Sequence, residues 1–186
     1  MNSKDYQIAT RRTDLEDYSA AAKRIEENKK TIHEGISLFM LSSGVLDIMK
    51  KKVMYDADPM KLVKTDAEHI NNRGLFLDQE YLDKIATDEK FTKAFHYIIG
   101  IVTEANEMMV ALAKASKTGS LDLVNVGEEL GDSEFYSARL ADLVDLDLDT
   151  LRQKNIDKLA IRYPEKFTND LANNRDLDLE RQVLEA

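Results

Sequence analysis

Only two prolines, Pro59 and Pro164, interrupt the chain, and the stretch between them is free of the strongest helix breaker. Apolar residues recur there at steps of three and four, the spacing of one helix face. The clearest stripe is Phe91, Phe95, Ile98, Val102, Ala105, Met109 and Leu112, after a capping Thr87 and before Lys117, Thr118 and Gly119. Ser120 is placed to cap a second helix with Leu123, Val126, Leu130, Ser137, Ala141 and Val144 on its stripe. Asp147 or Asp149 can cap a third, carrying Leu151, Ile156 and Leu159, which Tyr163-Pro164 stops. Upstream, residues 14–28 read as a polar helix and 78–86 as a short one. Residues 30–53 are apolar on most sides (Ile32, Ile36, Phe39, Met40, Val45, Leu46, Met49), the pattern of a buried helix. From YDADP to Gly74 the reading is ambiguous, with NNRG a turn signal, and the closing NNRDLDLERQVLEA reads as a short polar helix. No sustained strand pattern occurs, so the expectation is an all-α helical bundle.

With 186 residues, 43% hydrophobic and 33% charged, one compact domain is expected, residues 1–90 forming an N-terminal helical region packed on the core. The absence of cysteine excludes disulfides, thiolate nucleophiles and cysteine-ligated zinc. A formal net charge of −9 argues against nucleic acid as a partner, since sequence-independent binding needs a basic surface. The run Lys50, Lys51, Lys52 reads as a solvated face. No leader-like segment and no run of about 18 apolar residues is present, which predicts a soluble, cytoplasmic protein without a membrane partner.

The chemistry concentrates in acids placed beside the apolar stripes. At about 100° per residue, Glu104 and Glu107 lie about 60° apart on their helix, and Glu129, Asp132 and Tyr136 share a narrow arc on the next. An antiparallel pairing of the two helices lets these flanks face each other. Four converging carboxylates repel unless a cation joins them, and hard Mg²⁺ or Mn²⁺ suits an all-oxygen site open to phosphate. The competing reading is plain decoration of solvated faces, which is common for acidic pairs. Glu128 points to solvent, and Glu134, near the apolar stripe, is expected to pair with a cation. Asn155, Lys158 and Arg162 share a face of the third helix, and Lys114 and Lys117 stand near the end of the first. Cations around a metal-loaded acidic site suit a polyphosphate. Phosphate-binding loops are missing, and His33, His69 and His96 have no metal-ligand spacing, so His96 reads as a packing residue.

In order, IIGIVTEANEMM, NVGEELGDSEFYSARLADLV and NIDKLAIRYPEKF resemble the signature segments of the MazG-like all-α nucleoside triphosphate pyrophosphohydrolases. The closing ANNRDLDLERQVLE resembles the end of small, often phage-encoded members, and the resemblance covers about residues 95–184. It implies a bundle of the all-α NTP pyrophosphatase type spanning 91–186, assembled as a homodimer or homotetramer. It implies cleavage of a (d)NTP between the α and β phosphates with Mg²⁺, giving (d)NMP and pyrophosphate. Glu104, Glu107, Glu129 and Asp132 match metal ligands, and Tyr136 matches an aromatic that lines the nucleotide pocket. Asn155, Lys158, Arg162, Tyr163 and Pro164 match NxxKLxxRYP, whose Asn and Lys contact phosphate or sugar. In that reading Glu104 or Glu107 takes the proton of the attacking water, Lys158 steadies phosphate charge, and Arg162 and Lys114 assist in holding the substrate. Two positions depart: Thr103 replaces a further Glu of many members, and Asn106 replaces the usual glycine. Thr103 and the helix at 30–53, where Leu41 and Gly44 stand in place of an acid pair, favour the alternative, a non-catalytic helical protein that sequesters a nucleotide or assembles with a partner.

Overall fold

A computed structural model describes residues 2–11, 18–57 and 80–186. The fold is all-α, with no strand among the described residues. The helices are α1 (Ser3–Thr10), α2 (Tyr18–Glu27), α3 (Lys29–Tyr55), α4 (Glu80–Thr87), α5 (Glu89–Thr118), α6 (Leu123–Leu143), α7 (Leu148–Arg162), α8 (Asn169–Asn173) and α9 (Leu177–Glu185). The periodic segments are helical as expected, while α1 and the short α8 lack a stripe and escape a periodicity reading. The NNRG turn and residues 14–17 of the expected first helix lie outside the described residues. None of the described helices is long and apolar enough to cross a membrane.

Aspartates set the helix starts. Asp88, rather than Thr87, caps α5, accepting from the Lys90 N–H at 3.0 Å. Asp122, rather than Ser120, caps α6 and accepts from Val124 N (3.1 Å) and Asn125 N (3.2 Å). A carboxylate there satisfies orphan N–H groups and also complements the positive end of the helix dipole, which a hydroxyl does not. Asp147 accepts from Thr150 N at 2.8 Å at the head of α7, which ends at Arg162 before Tyr163-Pro164. Gly119, at φ 76°, closes α5 in the left-handed region that glycine enters without strain.

Two compact units emerge, each drawn from two stretches of sequence. One comprises Met1–Lys23 and Ile85–Leu151, the other Arg24–Lys84 and Arg152–Ala186. In the first, α5 and α6 form a hairpin with α1 packed on α6. Buried Ala138 and Ala141 present little bulk, so α1 approaches closely and Tyr6 packs against them and Leu148. Polar bonds hold α1 in place: Gln7 Nε2 donates to Leu146 O at 3.1 Å, and Arg11 pairs with Asp142.

The stripe expected to face the core of α5 is half-buried at Phe95 and Val102 and exposed at its other positions. Phe91, Ile98, Met109 and Leu112 are 47%, 49%, 58% and 55% exposed, while Thr92, Tyr97, Gly100, Glu104 and Ala111 are buried. Helix geometry turns Ile98 and Met109 about 120–140° away from Glu104, so both faces cannot meet α6. The exposed stripe advances by alternating steps of four and three from Phe91 to Leu112, the spacing of a coiled-coil seam.

In the second unit α8 lies against α3, where Asn173 Nδ2 donates to Tyr55 O at 3.0 Å and Phe167 meets Tyr55 and Tyr163. Leu38 and Phe39 of α3 are exposed, although this helix reads as buried from sequence. Glu180 of α9, 3% exposed, accepts from Arg162 Nε (2.7 Å) and Arg175 Nη2 (2.6 Å). Those guanidinium groups hold its carboxyl down to about 2. Lys154 Nζ donates to Leu184 O at 3.0 Å on the same helix.

Candidate metal centre

The tight link between α5 and α6 forces antiparallel pairing, and three cross-helix contacts fix the register. Glu104 meets Asp132, Gly100 meets Tyr136, and Tyr97 accepts a hydrogen bond from Arg139 at 3.4 Å. Each step back along α5 is matched by an equal step forward along α6. This register brings the acidic arcs of the two helices together.

One carboxylate oxygen from each of Glu104, Glu129 and Asp132 lies within 4.8 Å of the others. Glu104 and Glu129 are buried, at 9% and 5% exposed, while Asp132 is open to solvent. Burial, a hydrogen bond shared with Glu129 and the charges of Glu107, Asp132 and Glu129 push the Glu104 carboxyl above its ordinary range. The repulsion that raises this proton affinity is the one a cation would remove. An octahedral ion with ligands at about 2.1 Å holds its oxygens roughly 3 to 4 Å apart, so the set fits a hard divalent cation after a small inward movement. The donors are all oxygen, and exposed Asp132 leaves one side accessible to water or phosphate.

Glu107 is exposed and stands outside this trio, although its charge acts on Glu104. Asn125, unremarkable from sequence, donates through Nδ2 to Glu129 Oε1 at 2.6 Å and fixes that carboxylate. It sits one turn before Glu129, a spacing at which a side-chain amide can reach the acid. Thr103 donates to the backbone O of Gly100 at 2.8 Å and lies 3.4 Å from Glu104 Oε1.

Tyr136 borders the trio. Burial and the charges of Glu104 and Asp132 raise its phenol, which keeps it a neutral hydrogen-bond donor. Its ring meets His96 edge-on, with centroids 5.7 Å apart. Behind them runs a buried polar chain. Tyr18 Oη is 3.0 Å from both His96 Nδ1 and Tyr97 Oη, and Arg139 donates onward to Asp142 at 2.9 Å. His96 packs as expected but also has a hydrogen-bond partner, Tyr18, which its place in a polar helix gave no reason to pick out. Glu134, expected to pair with a cation, lies close enough to Tyr6 for its charge to raise that phenol, after burial.

The basic residues divide between the two units. Lys114 is exposed near the end of α5. Asn155, Lys158 and Arg162 belong to the second unit, where Asn155 is exposed, Lys158 is half-buried and Arg162 is engaged by Glu180. Comparisons with protein-family models, with curated proteins and with solved structures each find no match.

Proposed function

We propose that this chain is a Mg²⁺-dependent nucleotide pyrophosphohydrolase, cleaving a (d)NTP between its α and β phosphates. The observation that carries the reading is the meeting of Glu104, Glu129 and Asp132 at one point of the α5–α6 hairpin. Two carboxylates buried side by side are costly without a cation, and the motifs that resemble the MazG-like family supply these same acids. Mg²⁺, or Mn²⁺ in its place, would neutralise the acids and polarise the phosphates when bound.

The chain's own groups then have separable tasks. Glu104, Glu129 and Asp132 hold the cation, with Asn125 orienting Glu129. Water attacks the α phosphorus, the bridging oxygen leaves with pyrophosphate, and a carboxylate takes the water's proton. The candidates are Glu107, exposed and near enough for its charge to act on Glu104, and Glu104 itself, whose proton affinity is raised. The resemblance and the charge pattern, rather than any geometry, assign Lys158 to steadying phosphate charge and Asn155, Arg162 and Lys114 to further substrate contacts. Arg162 can serve only as far as Glu180 leaves its donors available.

The same reading includes a homodimer or homotetramer, supported by the exposed seam on α5. That seam also favours the second reading, an assembly or nucleotide-sequestering protein without catalysis. The deciding measurement is pyrophosphate release from a panel of NTPs and dNTPs with Mg²⁺. Turnover is expected for the intact chain, and Glu129→Gln and Asp132→Asn should each lower it about 100-fold or more. Tight binding with the nucleotide left intact would establish the second reading instead.

A further inference from the structure

Gly100 lies buried on the face of α5 that also carries His96 and Glu104, one turn to either side. A Cβ added there would stand 2.5 Å from Cγ and Cδ1 of Tyr136 and 2.6 Å from Cδ2. No side chain larger than hydrogen fits, because the ring itself occupies that space. The absent side chain is a slot, and the aromatic base of Tyr136 is seated in it. His96 closes one end of the slot through its edge-on contact, and Tyr18 holds His96.

We propose that Gly100 is a positioning residue, which seats the Tyr136 ring against α5 so that its hydroxyl is presented to the anionic ligand of the acid trio. This rests on the reading of that trio as a cation and nucleotide site. It goes further in assigning how Tyr136 acts. The ring portion nearest its backbone lies against α5, so the contact assigned to it here is made through the hydroxyl rather than by stacking. The hydroxyl is the part left to contact a phosphate or sugar oxygen, and the slot sets where it stands.

The chain has no tryptophan, so tyrosine is its sensitiser for a bound lanthanide, and energy transfer falls steeply with distance. The probe is Tb³⁺, an oxygen-seeking cation, with tyrosine-excited emission and binding measured on the full chain. The intact protein should bind Tb³⁺ and emit, and Glu129→Gln and Asp132→Asn should weaken binding. Tyr136→Phe and Gly100→Ala should retain binding; Gly100→Ala should lose a large part of the emission through displacement of the ring. In the pyrophosphate assay both should raise KM about tenfold, the size of one charged hydrogen bond. Tyr136→Phe in the Gly100→Ala background should then add little, since both changes remove one contact.

Tb³⁺ binding that ignores the acid variants overturns the trio reading and this inference together. Binding retained with unchanged emission and KM in Gly100→Ala overturns the slot alone. Should Gly100→Ala fail to fold, Gly100→Ala with Tyr136→Ala is compared with Tyr136→Ala. Recovery of folding in the double variant supports the seat, and equal failure overturns it.

Discussion

At the scale of single residues, the Glu104 carboxyl works against the stability of the fold. Its carboxyl binds a proton more tightly in the folded chain than in the unfolded one, because of burial and then its acidic neighbours. The folded state therefore holds more protons above the ordinary carboxyl value of 4.5, and stability from this group falls as pH rises. Glu104→Gln is expected to raise the melting temperature by a few degrees at neutral pH without metal. Mg²⁺ should raise it for the intact protein and leave Glu104→Gln nearly unmoved, since a ligand stabilises only what binds it. Thermal scans of both proteins with and without Mg²⁺ check this, and a destabilised Glu104→Gln without metal would contradict it. The acids could be picked out in sequence because residues three apart share a helix flank whatever the tertiary structure does. Gly100, Asn125 and Tyr18 could not, or only weakly. Two of them acquire meaning through a partner on another helix, and Asn125 does so only once Glu129 is known to be buried.

Among elements, α9 offers the sharpest test. Glu180 sits beneath two guanidinium groups, with its side chain 5% exposed and that of Arg162 15% exposed. Removing the carboxylate leaves buried positive charge without its partner, so Glu180→Gln should cost about 3 kcal/mol. The carboxyl is held down to about 2, so its contribution is fully present above the ordinary value of 4.5. It is lost as pH falls from there through about 2. Denaturant titrations should therefore show the gap between Glu180→Gln and the intact protein shrinking across that window, and a gap independent of pH would refute the assignment. The helix itself was legible in the closing sequence, and so was the stop at Tyr163-Pro164. Which acidic residue in DLDLERQVLE would be buried was not. That choice depends on Arg162 and Arg175 arriving from outside the helix. The caps teach a similar lesson: Ser120 and Thr87 satisfy a local rule, but Asp122 and Asp88 satisfy it with added charge.

For the whole molecule, the stripe on α5 exposes the limit of periodicity. The pattern announces that a face must be covered, and it does not name the cover. Here the face turned to α6 carries Tyr97, Gly100 and Glu104, and the more apolar face is left exposed. Its four-three spacing suits another helix, and a second copy is the cover that the proposed oligomer supplies. Met109→Asp and Ile98→Asp should each shift the protein to a smaller species by light scattering after size exclusion, weakening association about 100-fold or more. An unchanged mass in both variants would remove the stripe from the interface. Helix content and hairpin formation thus followed from the chain's own pattern, whereas the division into two units did not, because each unit gathers distant segments. That interleaving has a practical result for anyone dissecting the gene. A fragment encoding only residues 85–151 would carry His96, Tyr97 and Asp142, yet leave behind Tyr18 and Arg11, which hydrogen-bond to them. No single cut delivers a self-sufficient piece.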